Sequence, residues 1–313
     1  MTETIVVLGS FVADTAYRAS RLPAWGETLM GSGFALGPGG KGSNQAVAAA
    51  RALGSSGKVQ MISKLGDDAF GKMARDLWAT DGIDASLVGT SATPTGAAVI
   101  LIDEARGDNA IIIVPGACFT LTPEDVDAVA VTIQSAGVFL TQLELPLETV
   151  QRGLEIAHAA GVPTILNPAP AVALSDAMLA AADYLIPNET EAALLTGMPV
   201  ETIEQAEAAA KVLLVRGPQT VILTLGARGA LVCTKDAEPV LVPAFDAGKV
   251  LETTGAGDAF CGGFAAALLE KQSLLDAVRF GCATAGISVT RAGTAPSMPR
   301  RSEVVALVAA QKI

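Results

Sequence analysis

GVFLTQLELPLETVQRGLEIAHAAGVPTILNPA, residues 137–169, decides the fold. GVFLTQLE and PTILNPA are short apolar runs of strand length, and LETVQRGLEIAHAAG between them carries apolar residues at helical spacing. A strand, a helix and a second strand joined by short turns form a right-handed βαβ unit, which places the strands parallel and the helix across one face. The same alternation extends outward in both directions. TIVVLGS, KVQMISKLG, YLIPN and TVILTLG read as further buried strands, and DAFGKMARDLWATDG, PEDVDAVAVTIQSA and IEQAEAAAKVLLVRG as helices. Beyond residue 255 the pattern is helical almost to the end. Repeated units of this kind predict a three-layer α/β/α sandwich around a mainly parallel sheet, in one domain spanning 1–313.

Two segments fit the sandwich less well. Residues 11–40 contain Pro23, Gly26, Gly31, Gly33, Gly37 and Gly39 among short apolar patches. Residues 95–115 read as a hairpin, TGAAVILID and AIIIVPG around EARGDN, with no helix between the strands. Together they predict a small antiparallel sheet projecting from the main domain. Such a sheet acts as a lid on a substrate cleft; the alternative is an edge extension of the main sheet.

Composition narrows the chemistry. Twenty-one basic against thirty-two acidic residues give a formal charge of −11, which argues against nucleic acid as a partner. No apolar run approaches the roughly 18–20 residues of a membrane span. The start, MTETIVVLGS, lacks the basic and small-residue features of a secretory signal, so a cytoplasmic protein is expected. Four dispersed cysteines (Cys118, Cys233, Cys261, Cys282) without a C-x-x-C argue against a disulfide framework or a zinc cluster. The single histidine, His158, sits where a helix should end and reads as a solvated residue. Acid–base chemistry therefore falls to Asp, Glu, Lys, Tyr or Cys.

GPGGKGSNQA (37–46) contains a formal G-x-G-x-x-G, but it does not directly follow the first strand, and no acid stands about 20 residues on. Nor is it a Walker A loop, since Gly42 rather than Ser or Thr follows Lys41. What remains is a glycine-rich approach to a helix carrying Lys41 and Asn44, a surface that suits a polyol. Asp14 in GSFVAD and Glu144 in QLE lie at strand ends, where ligands of parallel sheets gather. In PNETE, Asn188 and Glu191 have capping-box spacing, and the pair could also face the water shell of a Mg²⁺ ion. TLGARG (224–229) is a glycine turn after a strand, suited to a nucleotide edge.

TTGAGDAF (253–260) is sharper. Small residues ahead of a long apolar helix predict outward-pointing amides of Gly255, Ala256 and Gly257, an arrangement that binds anions. An aspartate there is favourable as a cap. Beside an anion hole, Asp258 can also accept the proton of an attacking hydroxyl while the amides hold developing charge. Aspartate is a weak base, which suffices where the transition state is loose.

GGKGSNQA, LNPAPA, PNETEAALLTG and GAGDAF, in this order, resemble the ribokinase-like (PfkB) carbohydrate kinases, and the similarity runs from about Ile5 to the last helix. The resemblance implies ATP- and Mg²⁺-dependent phosphorylation of a sugar's primary hydroxyl, with D-ribose at O5 as the leading substrate. It also implies a homodimer through the lid sheet, whose segments are about 11–40 and 95–115. By position it implies Asp258 as base, with Gly255, Ala256 and Gly257 as anion hole. Val12, Asp14, Gly40, Lys41, Gly42, Asn44 and Glu144 map onto sugar-contacting positions. Asn188, Thr224, Gly226, Arg228, Gly229, Gly257 and Cys282 map onto nucleotide contacts, and Glu191 onto a glutamate near Mg²⁺. Glu252, Thr254, Ser288, Arg291, Gly293 and Ser297 map onto a K⁺ site.

The chain departs from the family pattern in three places. Val12 stands where an asparagine is usual, which removes a polar partner for a sugar hydroxyl and keeps 2-deoxyribose or another sugar or nucleoside open as substrate. Glu252 replaces an aspartate of the cation site, and Cys118 replaces an asparagine expected near the lid. Two readings from other classes stay open: a sugar-binding regulator without catalysis, against which the intact GAGDAF counts, and a nicotinamide oxidoreductase, against which the misplaced glycine motif counts.

Overall fold

A computed structural model describes residues 4–106 and 108–311. The ends of the 1–313 span, and Gly107 within the expected 95–115 hairpin, lie outside the described residues. In chain order the strands are β1 (Thr4–Leu8), β2 (Val12–Ala19), β3 (Gly33–Gly39), β4 (Lys58–Gly66), β5 (Asp84–Ser91), β6 (Thr95–Asp103), β7 (Asp108–Gly116) and β8 (Val138–Thr141). They continue with β9 (Thr164–Leu166), β10 (Tyr184–Leu185), β11 (Thr220–Thr224), β12 (Ala230–Thr234) and β13 (Val240–Val242).

Nine strands form the main sheet in the order β13-β12-β11-β10-β9-β8-β1-β4-β5. From β11 to β5 every pairing is parallel; β12 and β13 close the other edge as an antiparallel meander. Side chains of a strand alternate between faces, and here both faces are dry. Ile5 and Val7 of β1 enter one core with the helices Lys41–Leu53, Ala69–Thr80, Ala256–Leu269 and Leu274–Ser288. Val6 and Leu8 enter a second core with Leu147–Ala159 and Ile203–Val215. That explains why the strands read as unbroken apolar runs.

The expected elements are present, with local differences. PEDVDAVAVTIQSA is two short helices, Pro123–Asp127 and Ala130–Gln134, because Val129 between them leaves the helical region at φ −112°, ψ 14°. The strands β5, β12 and β13 were not read as strands in the sequence: exposed positions break the apolar run in β5 and β13, whereas β12 (ALVCT) is buried but short and follows directly on the TLGARG turn.

Strands from the two exceptional segments form a separate sheet, β3-β2-β6-β7. It is mixed rather than purely antiparallel: β2 runs parallel to β6, with Asp14 opposite Ala98, while both outer pairings are antiparallel. The hairpin β6–β7 enters from elsewhere in the chain, so its first strand need not reverse against β2.

After β1 the chain builds β4 and β5 on one side and then returns to lay β8 on the other. Strand order reverses at this β1/β8 boundary, and a crevice opens beyond the carboxyl ends of both. Helices Lys41–Leu53 and Ala256–Leu269 pack closely above it. A Cβ added to Gly262 would lie 2.5 Å from Ala48 Cβ and 2.7 Å from the Gln45 carbonyl oxygen. Gly262→Ala is therefore expected to push these helices apart and cost about 1–3 kcal/mol. Thermal unfolding should show a lowered midpoint; an unchanged midpoint would mean that the helices are not tightly apposed.

Candidate active site

The crevice gathers side chains from five strand ends and three helix starts. Past β1, Ser10 Oγ donates to Glu144 Oε2 at 2.5 Å, and Glu144 itself follows β8. The same oxygen accepts the Lys41 amide at 2.8 Å, which satisfies a donor in the first turn of the helix Lys41–Leu53. Its N-cap is Gly40, whose φ of 86° few side chains adopt. Glu144 thus clamps β1, β8 and this helix to one another.

Asn44 and Gln45, one turn into that helix, reach the start of the helix Ala256–Leu269. Asn44 Nδ2 donates to Asp258 Oδ2 at 3.0 Å, and Gln45 Nε2 to Asp258 Oδ1 at 2.9 Å. Asp258 is 6% exposed. Asn44 Oδ1 is buried without a protein partner, an acceptor left free for a ligand hydroxyl. Asp14 lies on β2, on the same strand face as Val12, which is buried. Burial, reinforced by Glu144, Asp258 and Glu252, raises the Asp14 carboxyl from 3.8 to about 6.

A cavity of about 130 Å³ is lined by Lys41, Asn167, Asn188, Glu191, Thr224, Gly255, Gly257, Asp258 and Cys261, among others. Burial opposes the charge on Lys41, yet Asp258, Glu144 and Glu191 outweigh it and hold its ammonium above the usual lysine range. The PNETE capping box is formed: Asn188 caps Glu189–Thr196, and both Glu191 carboxylate oxygens accept from Asn188. Burial raises the Glu191 carboxyl, against the pull of the Asn188 amide and Lys41.

The anion hole differs from expectation at one amide. Gly255, at φ 81°, is the N-cap of Ala256–Leu269 and closes a turn in which the Ala256 amide donates to the Thr253 carbonyl at 3.1 Å. Ala256 therefore does not point its N–H outward, and Gly255 and Gly257 are the members of that triplet that line the cavity.

Several expected nucleotide residues lie apart from it. Gly226 and Arg228 form a 3₁₀ turn in which Arg228 pairs with Glu189 and donates to the Glu201 carbonyl at 3.0 Å. Gly229 fills a packing requirement, since a Cβ there would meet the Val242 carbonyl oxygen at 2.0 Å. Cys282 is buried in the helical core, where burial pushes its thiol up to about 12. Gly42 packs against the end of β1.

The segments of the expected cation site do meet. Glu252 Oε2 accepts the Gly293 amide at 2.8 Å. Ser288 and Ser297 hydroxyls turn back to the Ala285 and Thr294 carbonyls, Arg291 turns outward to Glu303, and Thr254 is exposed in the turn before the helix. Thr294 Oγ1 donates to the Pro38 carbonyl of β3 at 3.0 Å.

Ser10, Gln45, Gln142 and Asn167 complete the site without having been singled out in the sequence. Asn167 and Ser10 follow strand ends, so the strand-end rule that found Glu144 would also have found them; Asp14, expected at the end of the first strand, is instead the third residue of β2 in the small sheet. Among the described residues no three His, Cys, Asp or Glu side chains form a metal cluster. Glu191 and Asp258 are the carboxylates lining the cavity, and so small a donor set fits a magnesium ion held mostly by water and phosphate oxygens rather than by a protein cage.

A carboxylate held by two amide donors, beside helix-start amides and a lysine, can take the proton of a hydroxyl while the hydroxyl oxygen attacks an anionic group whose charge the amides and the lysine hold. Comparison with known proteins agrees. The sequence pattern of the pfkB family carbohydrate kinases matches residues 2–301. A ribokinase of Haemophilus influenzae is 42% identical over 306 residues, covering 97% of this chain and 98% of that protein. A deoxyribokinase of Salmonella typhi is 40% identical over 297 residues, covering 94% and 95%. The structure of Arabidopsis thaliana ribokinase complexed with ribose and ATP matches with a TM-score of 0.93 at 34% identity, over 98% of this chain and 99% of that one. The chain therefore belongs to the pfkB family of carbohydrate kinases.

Proposed function

We propose that the protein transfers the γ-phosphate of ATP to O5 of D-ribose. The observation that carries this reading is the buried Asp258 carboxylate, held by Asn44 and Gln45 at a cavity that Lys41, Gly255 and Gly257 also line. Asp14, Asn44 and Glu144 orient the sugar, and the free Asn44 Oδ1 accepts one of its hydroxyls. Asp258 takes the O5 proton, and the Gly255 and Gly257 amides with Lys41 receive charge that develops on the phosphoryl oxygens. Asn188 and Thr224 face the nucleotide side of the cavity. The relatives named ribokinase, and the one complexed with ribose and ATP, support the choice of substrates.

Glu191 would hold Mg²⁺ through water, and the ion supplies neutralisation of phosphate charge. Glu252, with main-chain oxygens of the 288–297 segment, would hold K⁺. Both ions answer an imbalance: Glu144, Glu191 and Asp258 surround Lys41, and Asp14 lies within electrostatic reach of Glu144, Glu252 and Asp258. The small sheet serves as the lid. Its strand β7 exposes Ile111, Ile112, Ile113 and Val114 in succession, and Tyr17, Phe34 and Leu36 are exposed on β2 and β3. An apolar edge strand of this kind needs a cover, and a second copy of the chain in a homodimer supplies it. Among the described residues no helix is long and apolar enough to cross a membrane, and we place the enzyme in the cytoplasm.

A second reading, a 2-deoxyribose kinase, is favoured by Val12, which offers a sugar hydroxyl no polar partner, and by the match to a deoxyribokinase at nearly equal identity. An ADP-release assay over ribose, 2-deoxyribose, fructose and nucleosides, with and without K⁺, separates the two. Ribose is expected to give the highest kcat/KM; a preference for 2-deoxyribose selects the second reading, and no release with any sugar ends both. Asp258→Asn should lower kcat by about 10²–10⁴-fold with sugar binding retained. Near-normal turnover in that variant would remove Asp258 from the base role.

Asp14 gives a pH test. With a folded value near 6 against 3.8, the native state binds more protons than the unfolded one between those values, so Asp14 costs stability as pH rises through that window. Asp14→Asn is expected to melt higher than the wild type at pH 8, with the gap closing towards pH 4. Its KM for the sugar should be raised and should lose the wild type's rise below about pH 6. Equal melting temperatures at pH 8 would contradict the strained carboxylate.

A further inference from the structure

Asp258 is held by a polar chain whose direction is forced from its far end. Asn167 Nδ2 lies 2.9 Å from the Ile186 carbonyl oxygen, which can only accept, so the nitrogen of Asn167 must face it and Oδ1 must face Gln45. Gln45 in turn must present its NH₂ group, and Nε2 donates one hydrogen to Asn167 Oδ1 at 3.0 Å and the other to Asp258 Oδ1 at 2.9 Å. Gln45 Oε1 then points the other way and accepts Gln142 Nε2 at 2.6 Å. Reversing Gln45 would set its oxygen against Asp258, Asn167 Oδ1 or both, with no donor between them. Gln45 is fully buried, Gln142 and Asn167 nearly so, and water cannot relieve such a conflict cheaply. Gln142 Oε1 is left without a protein partner at the end of the chain, the cost of this orientation.

We infer that Gln45 is a positioning residue for phosphoryl transfer, oriented by Asn167 and the Ile186 carbonyl and fixing the rotation of the Asp258 carboxylate towards the reacting hydroxyl. Asn44 holds Oδ2 and Gln45 holds Oδ1, so neither oxygen can swing away, and each keeps a lone pair for substrate. The chain begins at Ile186, two residues before Asn188, and therefore ties the carboxylate to the strand end that lines the nucleotide side. The inference rests on the role of Asp258 given under Proposed function.

The test uses full-length Gln45→Glu and Gln45→Met, with kcat and KM for sugar and ATP measured from pH 5.5 to 9, beside thermal midpoints. Wild-type ADP release is established first; without it the kinase reading itself fails. Given wild-type turnover, Gln45→Glu is expected to lose about 10–100-fold in kcat at pH 8. Its KM values should stay within about threefold, because Gln45 is fully buried and does not line the cavity. Its kcat should recover as pH falls towards 6, where a protonated glutamate regains the donor hydrogen. Gln45→Met should show the loss without the recovery. Gln142→Glu is the second variant: when ionised it opposes Gln45 Oε1, and the same pH-recoverable loss is expected although it does not touch Asp258. Wild-type kcat and pH profile in Gln45→Glu, or in Gln142→Glu if the first does not fold, would overturn the inference. So would equal losses in both Gln45 variants at every pH, which would mark a structural role alone.

Discussion

A carboxylate taken out of water must be met by donors, and the contact between Asp258 and the Asn44–Gln45 pair is where this structure meets that demand. The partners are 214 and 213 positions away in the chain. An uncompensated ion at such a site would cost several kcal/mol, so the two helices that bring the groups together must be fixed closely and in one register. The glycine and alanine content of their interface follows from this. Gly262 against Ala48 lets the backbones approach until short carboxamides reach across. The abundance of alanine in the sequence reflects a need for small contacts as much as for core volume.

The parallel sheet places these helices, and Glu144 ties them to it. By accepting from Ser10 and from the Lys41 amide, one oxygen joins the strand-order reversal to the first turn of the helix that carries Asn44 and Gln45. The remaining acidic groups are crowded enough that Asp14 is driven up to about 6 by burial and its neighbours. That crowding would repel a bare polyanion, and it is the imbalance that the proposed cations would answer.

Much of this was legible in the sequence because it depends on local signals. Strand and helix periods gave the sandwich, and the N-cap spacing of Asn188 and Glu191 gave a capping box that is formed in full. The small apolar lead into Asp258 identified the helix start correctly. What was not legible depends on direction or on long range. No pattern reveals that Ala256 turns its amide to Thr253 while its glycine neighbours do not. Arg228 maps onto a nucleotide contact by resemblance, and no pattern in the sequence shows that it also pairs with Glu189. Gln45 stands inside a motif that drew notice for its neighbours, and its importance emerges only when Asn167, Gln142 and Asp258 are seen around it. The parallel β2–β6 pairing was hidden for a similar reason: alternation within a strand says which face is buried, not which way its neighbour runs.

The hydroxyl of Thr294 carries a consequence of another kind. Its segment is bonded on one side to the Pro38 carbonyl of the small sheet and on the other, through the Gly293 amide, to Glu252. The Thr294 side chain also packs against Gly255 at the start of the helix Ala256–Leu269. A tilt of the small sheet must therefore break the Pro38 bond or drag this segment with it. Sheet posture, the Glu252 carboxylate and the helix start are thereby linked in one mechanical circuit. By thermodynamic reciprocity, if the position of the sheet alters the hold on a charge at Glu252, a charge there alters the position of the sheet by the same free energy.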